Sequence, residues 1–212
     1  VVDPWELSVS AANFEQQLRV LKQTGIVVPL SELIELVYRQ KMIRPCVAIT
    51  FDDGYADNYL AASPLLEKYA VPATFFIATG YTDAKELFWW DELDAILLAK
   101  EKLPANIAIR IGNEDFVFDL AEDAVLTEEK MKKLKHWTYE QPPPAKRCAL
   151  YLAIWERLKP LSTVQIQTVL KALRHWADFH PQTDAASIPM TSAQLRDIAA
   201  NPLFEIGMHT VT

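Results

Sequence analysis

Cys46–Tyr59 reads CVAITFDDGYADNY. The first part, Val47-Ala48-Ile49-Thr50-Phe51, is apolar and rich in β-branched residues, and it stops at two adjacent carboxylates and a glycine. Pro45 and Gly54 bound the run, whose length and composition predict a buried strand ending at Asp52. Neighbouring strand side chains point to opposite faces, so Asp52 and Asp53 serve one site only if the backbone turns there. Gly54 has the conformational freedom for that turn. Two carboxylates at the end of a buried strand repel each other, and both stay ionised cheaply only in water or beside a cation. From these residues alone two readings stand open: a solvated strand-to-helix turn, and a carboxylate pair that meets a cation.

Working outward, Asp57 or Asn58 is placed to cap a helix running to about Tyr69, with Pro64 at the start of its regular part. Ala73–Ala78 is a second apolar and aromatic run, read as a strand ending at Thr79-Gly80. Strand, helix and strand within about 30 residues predict a βαβ unit with parallel strands. Sites on such sheets lie at the carboxyl ends of the strands, which is where Asp52 and Asp53 fall. Near the end of the chain, Leu203–Met208 is another strand and His209 follows it.

These pieces resemble a known family. Thr50-Phe51-Asp52-Asp53-Gly54-Tyr55 is similar to the first motif of the polysaccharide deacetylases, the carbohydrate esterases with the NodB-homology domain. The similarity continues through Ala56-Asp57-Asn58-Tyr59 and Val71-Pro72-Ala73-Thr74-Phe75-Phe76. It returns at Glu205–Thr212, which looks like the second motif, His-Ser/Thr-x-x-His, ending one residue before its second histidine. The resemblance covers about half the chain. It implies an α/β fold of the distorted NodB-type (β/α) barrel kind, here incomplete, formed by residues 1–81 and 190–212. Residues 82–189 are then a mainly helical insertion, long enough that it must fold on a core of its own.

By the same resemblance, the activity is metal-dependent hydrolysis of an acetyl amide on a carbohydrate. Asp53 and His209 are implied as ligands of a divalent metal, most often zinc, and Asp52 as the general base acting on its bound water. A metal polarises a poor electrophile such as an amide and brings the pKa of its water down to about 7. A carboxylate beside that water can take the proton. The family's third metal ligand would follow Thr212, and its later motifs, with an arginine, a proline-containing loop and a general-acid histidine, do not occur in these residues. The residues present are therefore expected not to make a competent catalyst by themselves. Other functions compatible with the pattern are hydrolysis of a different C–N bond, such as a formamide or a cyclic ureide, and a catalytically inactive carbohydrate-binding or interaction module.

The remaining chain is read as scaffold. Ser10–Thr24 is an amphipathic helix with Phe14, Leu18 and Leu21 on one face and Gly25 as its stop. Ser31 is expected to cap a second helix carrying Leu33, Ile34, Leu36 and Val37 toward the first strand. In the insertion, Phe88-Trp89-Trp90 precedes a helix, and a hairpin is expected over 107–118, turning at Gly112–Asp115. Three helices follow, the first capped by Thr127, the second led in by Pro142-Pro143-Pro144 and the third opened by a Ser162/Gln165 capping box. Thr191 and Gln194 form another box, with Leu195, Ile198 and Ala199 facing inward. Trp89 and Trp90, just beyond a strand's carboxyl end, are candidates for contacting a sugar, although aromatic packing against the core explains them as well.

Composition narrows the partners. The chain has 212 residues, half of them hydrophobic, and a formal charge of −7, which disfavours a phosphate-backbone partner. No apolar run approaches the roughly 20 residues that cross a bilayer. The first residues show no secretory leader, but the missing Met and the interrupted second motif give both ends a trimmed look. Cys46 and Cys148 match no metal or redox spacing and read as buried free thiols.

Overall fold

The computed structural model describes residues 2–181 and 184–211. They group into two compact units, Val9–Glu86 with Thr183–Thr212, and Val1–Ser8 with Leu87–Gln182.

The first unit is built on a three-stranded parallel sheet with strands β1 (Thr50–Phe51), β2 (Ala73–Ile77) and β5 (Phe204–Met208), in the order β1-β2-β5. Thr50 pairs with Thr74, and Ala73 to Ile77 pair in register with Phe204 to Met208. β2 is central and nearly all buried, whereas β1 has one neighbour and is shorter and more exposed than its sequence predicts. Val47 only forms an isolated parallel bridge to Val27, because no longer strand lies on that side to extend the ladder. The unit is α/β, and among the described residues its sheet keeps two open edges.

Helix α1 (Ala11–Thr24) begins where the Ser10 hydroxyl accepts a bond from the Asn13 N–H and ends at Gly25, in the left-handed region at φ 60°. It buries Leu18 beside Leu66 and Phe75, and each such side chain contributes about 1.5–3 kcal/mol. Helix α2 (Leu30–Tyr38) departs from expectation. Its N-cap is Pro29, and Ser31 lies inside the first turn, where its N–H and hydroxyl donate to the Glu205 carboxylate of β5. None of its residues is buried, and Ile34 and Val37 face solvent.

Between β1 and β2 the chain makes a π-helical turn, Asn58–Ala62, before α3 (Ser63–Tyr69). The Ser63 N–H reaches back five residues to the Asn58 carbonyl. The wider turn sits just ahead of Pro64, which has no N–H to offer a helical ladder. Asp57 makes no side-chain cap, contrary to the sequence reading. Helix α8 (Ser192–Ala200) opens with the expected Thr191/Gln194 box and buries Ile198, but Ala199 is exposed.

The second unit is mainly helical. It contains α4 (Trp89–Asp94), the hairpin β3 (Asn106–Ile111) and β4 (Glu114–Asp119), then α5 (Glu128–Lys135), α6 (Lys146–Leu158) and α7 (Thr163–Ala177). The hairpin turns on Gly112-Asn113, two residues rather than four, with Gly112 at φ 58°. Cys148, Tyr151, Ile154 and Leu158 of α6 and Ile166, Val169, Leu170 and Leu173 of α7 form its own core with Leu93, Ile96 and Leu97. Arg147 is fully buried in it, and its guanidinium donates to the carbonyls of Leu97, Lys100, Glu101, Asp123 and Ala124. Glu92, also buried, is paired with Arg174.

Candidate metal centre

The site is set by what the backbone does after β1. Asp53 itself takes a left-handed conformation, φ 66°, and Gly54 follows at φ 81°. Aspartate tolerates that region better than most residues, so the turn starts one residue earlier than the glycine alone indicates. The Gly54 N–H bonds back to the Asp52 carbonyl at 2.8 Å, a three-residue turn centred on Asp53. This brings Asp53 round to the carboxyl end of the sheet.

β2 holds both halves of the site by backbone bonds. The Ala78 N–H donates to the Asp53 carbonyl at 3.2 Å, and the His209 N–H donates to the Ile77 carbonyl at 2.8 Å. Just beyond, the N–H groups of Thr79 and Gly80 donate to the carbonyls of Thr210 and Val211 at 3.3 and 2.8 Å. A Cβ on Gly80 would collide with the Val211 carbonyl oxygen, so only glycine permits this approach. Thr212, also part of the second-motif likeness, lies outside the described residues.

As a result, His209 Nδ1 lies 2.9 Å from Asp53 Oδ1. The side chains are partly open to solvent, 45% for His209 and 26% for Asp53, so the pair is accessible to a ligand. Burial pushes the Asp53 carboxyl above its ordinary range. The imidazole of His209 offsets part of that rise by charge and hydrogen bonding, and Asp52 adds to it. Asp52 is exposed beside them. Tyr81, at the end of the turn after β2, also feels Asp53: burial first, and then that carboxylate, raise its phenol.

A carboxylate and an imidazole are a donor set suited to zinc. Two donors sharing one tetrahedral ion at about 2.0–2.1 Å stand about 3.4 Å apart, so the observed pair needs only a small side-chain rotation to admit one. The two residues therefore fit a divalent metal as part of its ligand set. Among the described residues no group of three His, Cys, Asp or Glu side chains is arranged to hold an ion.

One segment of the site escaped the sequence reading. Residues 186–190, all but Met190 assigned there to the insertion, run back along the Asp53–Gly54 turn. The N–H groups of Ala56 and Asp57 donate to the carbonyls of Ile188 and Ala186, the Met190 N–H donates to the Gly54 carbonyl, and Tyr55 bridges Pro189. Ile188-Pro189-Met190 carries no periodicity that marks it as site scaffold, and only the pairing reveals it.

Trp89 and Trp90 belong to the helical unit. Trp89 packs against its core and lies 6.3 Å, ring centre to ring centre, from Trp155, while Trp90 stacks on Phe88 at 4.8 Å. Asp53 and His209 belong to the sheet unit. No helix among the described residues is long and apolar enough to cross a membrane.

Parts of the chain are similar to known proteins. Residues 39–103 match the family model described as polysaccharide deacetylase. YxkH of Bacillus subtilis (strain 168), whose name assigns it as a polysaccharide deacetylase, is 40% identical over 73 residues, 34% of this chain and 26% of that protein. The poly-beta-1,6-N-acetyl-D-glucosamine N-deacetylase of Staphylococcus aureus (strain MSSA476) is 39% identical over 75 residues, 35% of this chain and 26% of that protein. The matched part thus spans about a quarter of each relative. The Streptococcus pyogenes deacetylase PplD, solved with acetate, aligns over 41% of this chain and 40% of its own at 30% identity, with a TM-score of 0.34 that carries no weight for the architecture. Residues 39–103, which hold the Asp52-Asp53-Gly54 turn, are thus similar to the polysaccharide deacetylase family.

Proposed function

We propose that this chain carries part of the centre of a metal-dependent carbohydrate N-deacetylase, which hydrolyses an acetyl amide on a sugar. The observation behind the reading is the 2.9 Å approach of His209 Nδ1 to Asp53 Oδ1. The two residues follow β1 and β5, parallel strands on either side of β2, so they share one end of the sheet. Asp53 and His209 hold a divalent cation, zinc by the family's habit, which when bound polarises the amide carbonyl and lowers the pKa of water. Asp52, adjacent and exposed, takes the proton from the attacking water. The left-handed turn at Asp53 breaks the strand's alternation, so two consecutive carboxylates can serve one site. A closed NodB-type barrel is part of the same proposal, with further strands adding at the open edges of β1 and β5.

Two measurements test it. Zinc affinity of this chain, read by calorimetry, is expected to be weak, since two protein donors rarely retain the ion on dilution, and to fall at least about tenfold in Asp53→Asn and His209→Ala. Deacetylation of N-acetylglucosamine oligomers is read in a protein that carries these residues together with the family's later motifs. There, Asp52→Asn is expected to abolish turnover while zinc affinity holds. Zinc binding indifferent to both ligand substitutions would remove the metal site. Normal turnover by a well-folded Asp52→Asn would remove the general base, and turnover confined to formylated substrates would replace the acetyl amide.

A further inference from the structure

The helical unit has a groove of its own. It is open to solvent, with about 570 Å³ between α5 and the proline segment that precedes α6, Lys132, Lys133 and His136 on one wall and Pro142 and Pro144 on the other. That volume lies within the range of small-ligand sites. Trp137 also lines it while remaining 2% exposed, and its indole N–H donates to the Gln141 carbonyl at 3.2 Å. This bond fastens the proline segment to the end of α5.

The charge of the groove runs against that of the protein. The chain carries a formal −7, yet α5 and its C-cap bring Lys130, Lys132, Lys133, Lys135 and His136 together. Lys130 is turned inward, with its ammonium 2.8 Å from Asp123, and Lys133 is paired with Glu129, also at the groove, at 2.9 Å. The Glu129 charge is thereby answered within the helix. Lys132 and His136 stand four residues apart, on one ridge of α5, and both are exposed. Among the described residues neither side chain has an ion-pair or hydrogen-bonding partner, so their donors are available to a ligand.

We propose that this groove binds an anionic glycan, with the acidic substituent on Lys132 and His136 and the ring's C–H face on Pro142 and Pro144. The opposite wall favours a sugar over a peptide. Pro142, Pro143 and Pro144 have no N–H groups, so the wall lacks the main-chain donors that an extended peptide pairs with. The choice of a glycan rests on the carbohydrate function proposed above; the preference for an anion rests on the groove alone.

The test uses four probes with the intact chain, followed by calorimetry and by amide shifts of 129–144. They are a hexasaccharide of alternating glucuronate and N-acetylglucosamine, the neutral N-acetylglucosamine hexamer, hexaglutamate and inorganic phosphate. The acidic hexasaccharide is expected to bind with shifts confined to α5 and the proline segment, more weakly as salt rises. Lys132→Gln with His136→Gln is expected to weaken it roughly fivefold to tenfold, about 1 kcal/mol or more, and Lys171→Gln on α7 to leave it unchanged. Lys132→Glu, a charge reversal at the same exposed position, should do the same, and unchanged thermal melts establish that each variant is folded.

Equal binding of the neutral hexamer overturns the proposal, as does an affinity for hexaglutamate or phosphate that matches the acidic sugar. Absence of binding by the acidic sugar, or full binding by the double variant, overturns it too. Zinc affinity of Asp53→Asn is measured separately, so failure at this groove and failure of the metal centre appear in different experiments.

Discussion

Asp94, at the end of α4, is the most consequential titrating group in the helical unit. One carboxylate oxygen has no hydrogen-bond partner. Burial pushes the carboxyl up from 3.8 to about 7, a hydrogen bond from Tyr151 opposes this, and the charges of Asp91 and Asp3 add to the rise. An unfolded chain titrates this group near its ordinary value, so between about pH 4 and pH 7 the folded state holds a proton that the unfolded state lacks. Stability from this group therefore falls as pH rises, by about 1.4 kcal/mol per unit, and levels off above pH 7. From pH 5 to pH 8 the fall is about 3 kcal/mol.

Asp94→Asn removes the titration and keeps the shape, although its amide puts N–H donors where no partner stands, at about 1–3 kcal/mol. Relative to the parent, the variant should therefore gain about 3 kcal/mol of stability between pH 5 and pH 8. All six tryptophans (Trp5, Trp89, Trp90, Trp137, Trp155 and Trp176) lie in the helical unit, so their fluorescence in urea reports its unfolding separately from that of the sheet unit. Subtracting the two pH profiles cancels every other titrating group. Profiles that run parallel from pH 5 to pH 8 would refute the assignment of a raised carboxyl to Asp94.

Three further outcomes follow from the same structure. Arg147→Met should destabilise the helical unit by at least about 3 kcal/mol in the same fluorescence assay, because it leaves five carbonyls in the core without their donor. Trp89→Ala should cost about 3–5 kcal/mol by truncating a ring packed on the helical core, and should lower the melting temperature while sparing glycan affinity in the folded fraction; the reverse pattern would make Trp89 a sugar contact. Gly80→Ala should weaken zinc binding as far as His209→Ala does, since its methyl collides with the Val211 carbonyl and displaces the loop that follows His209, and near-normal zinc affinity would show that the loop yields without moving the imidazole.

Much of this was legible where a local rule sufficed. Both capping boxes, the Thr127 cap, the Gly25 stop and the three long helices of the helical unit follow from residues within four positions of each other. The motif residues Asp53 and His209, 156 positions apart, were placed at strand ends by composition and the family likeness, and the ladder β1-β2-β5 is what brings them within 2.9 Å. What stayed hidden depends on partners in space. Ser31 was read as a cap because its type and place fit one, and Pro29 took that position because Glu205 engages the Ser31 hydroxyl instead. The length of β1 depends on how many strands flank it, which its own residues do not encode. Asp94 reads as an ordinary polar position on a helix until Tyr151 and the surrounding core close over it.

β2 explains why the site tolerates such a plain sequence around it. Its side chains Ala73, Phe75 and Ile77 are committed to the core, and it contributes no ligand. Its backbone does the positioning: the Ile77 carbonyl receives the His209 N–H, the next N–H fixes the Asp53 carbonyl, and the following two fix Thr210 and Val211. Main-chain bonds of this kind ask for a strand that is buried and correctly registered, and for glycine where the chains approach closely, as at Gly80 and at Gly207 opposite Phe76. The chemistry is therefore confined to a few residues on flanking turns, while the precision comes from a hydrophobic strand whose residues could be exchanged for others of the same volume.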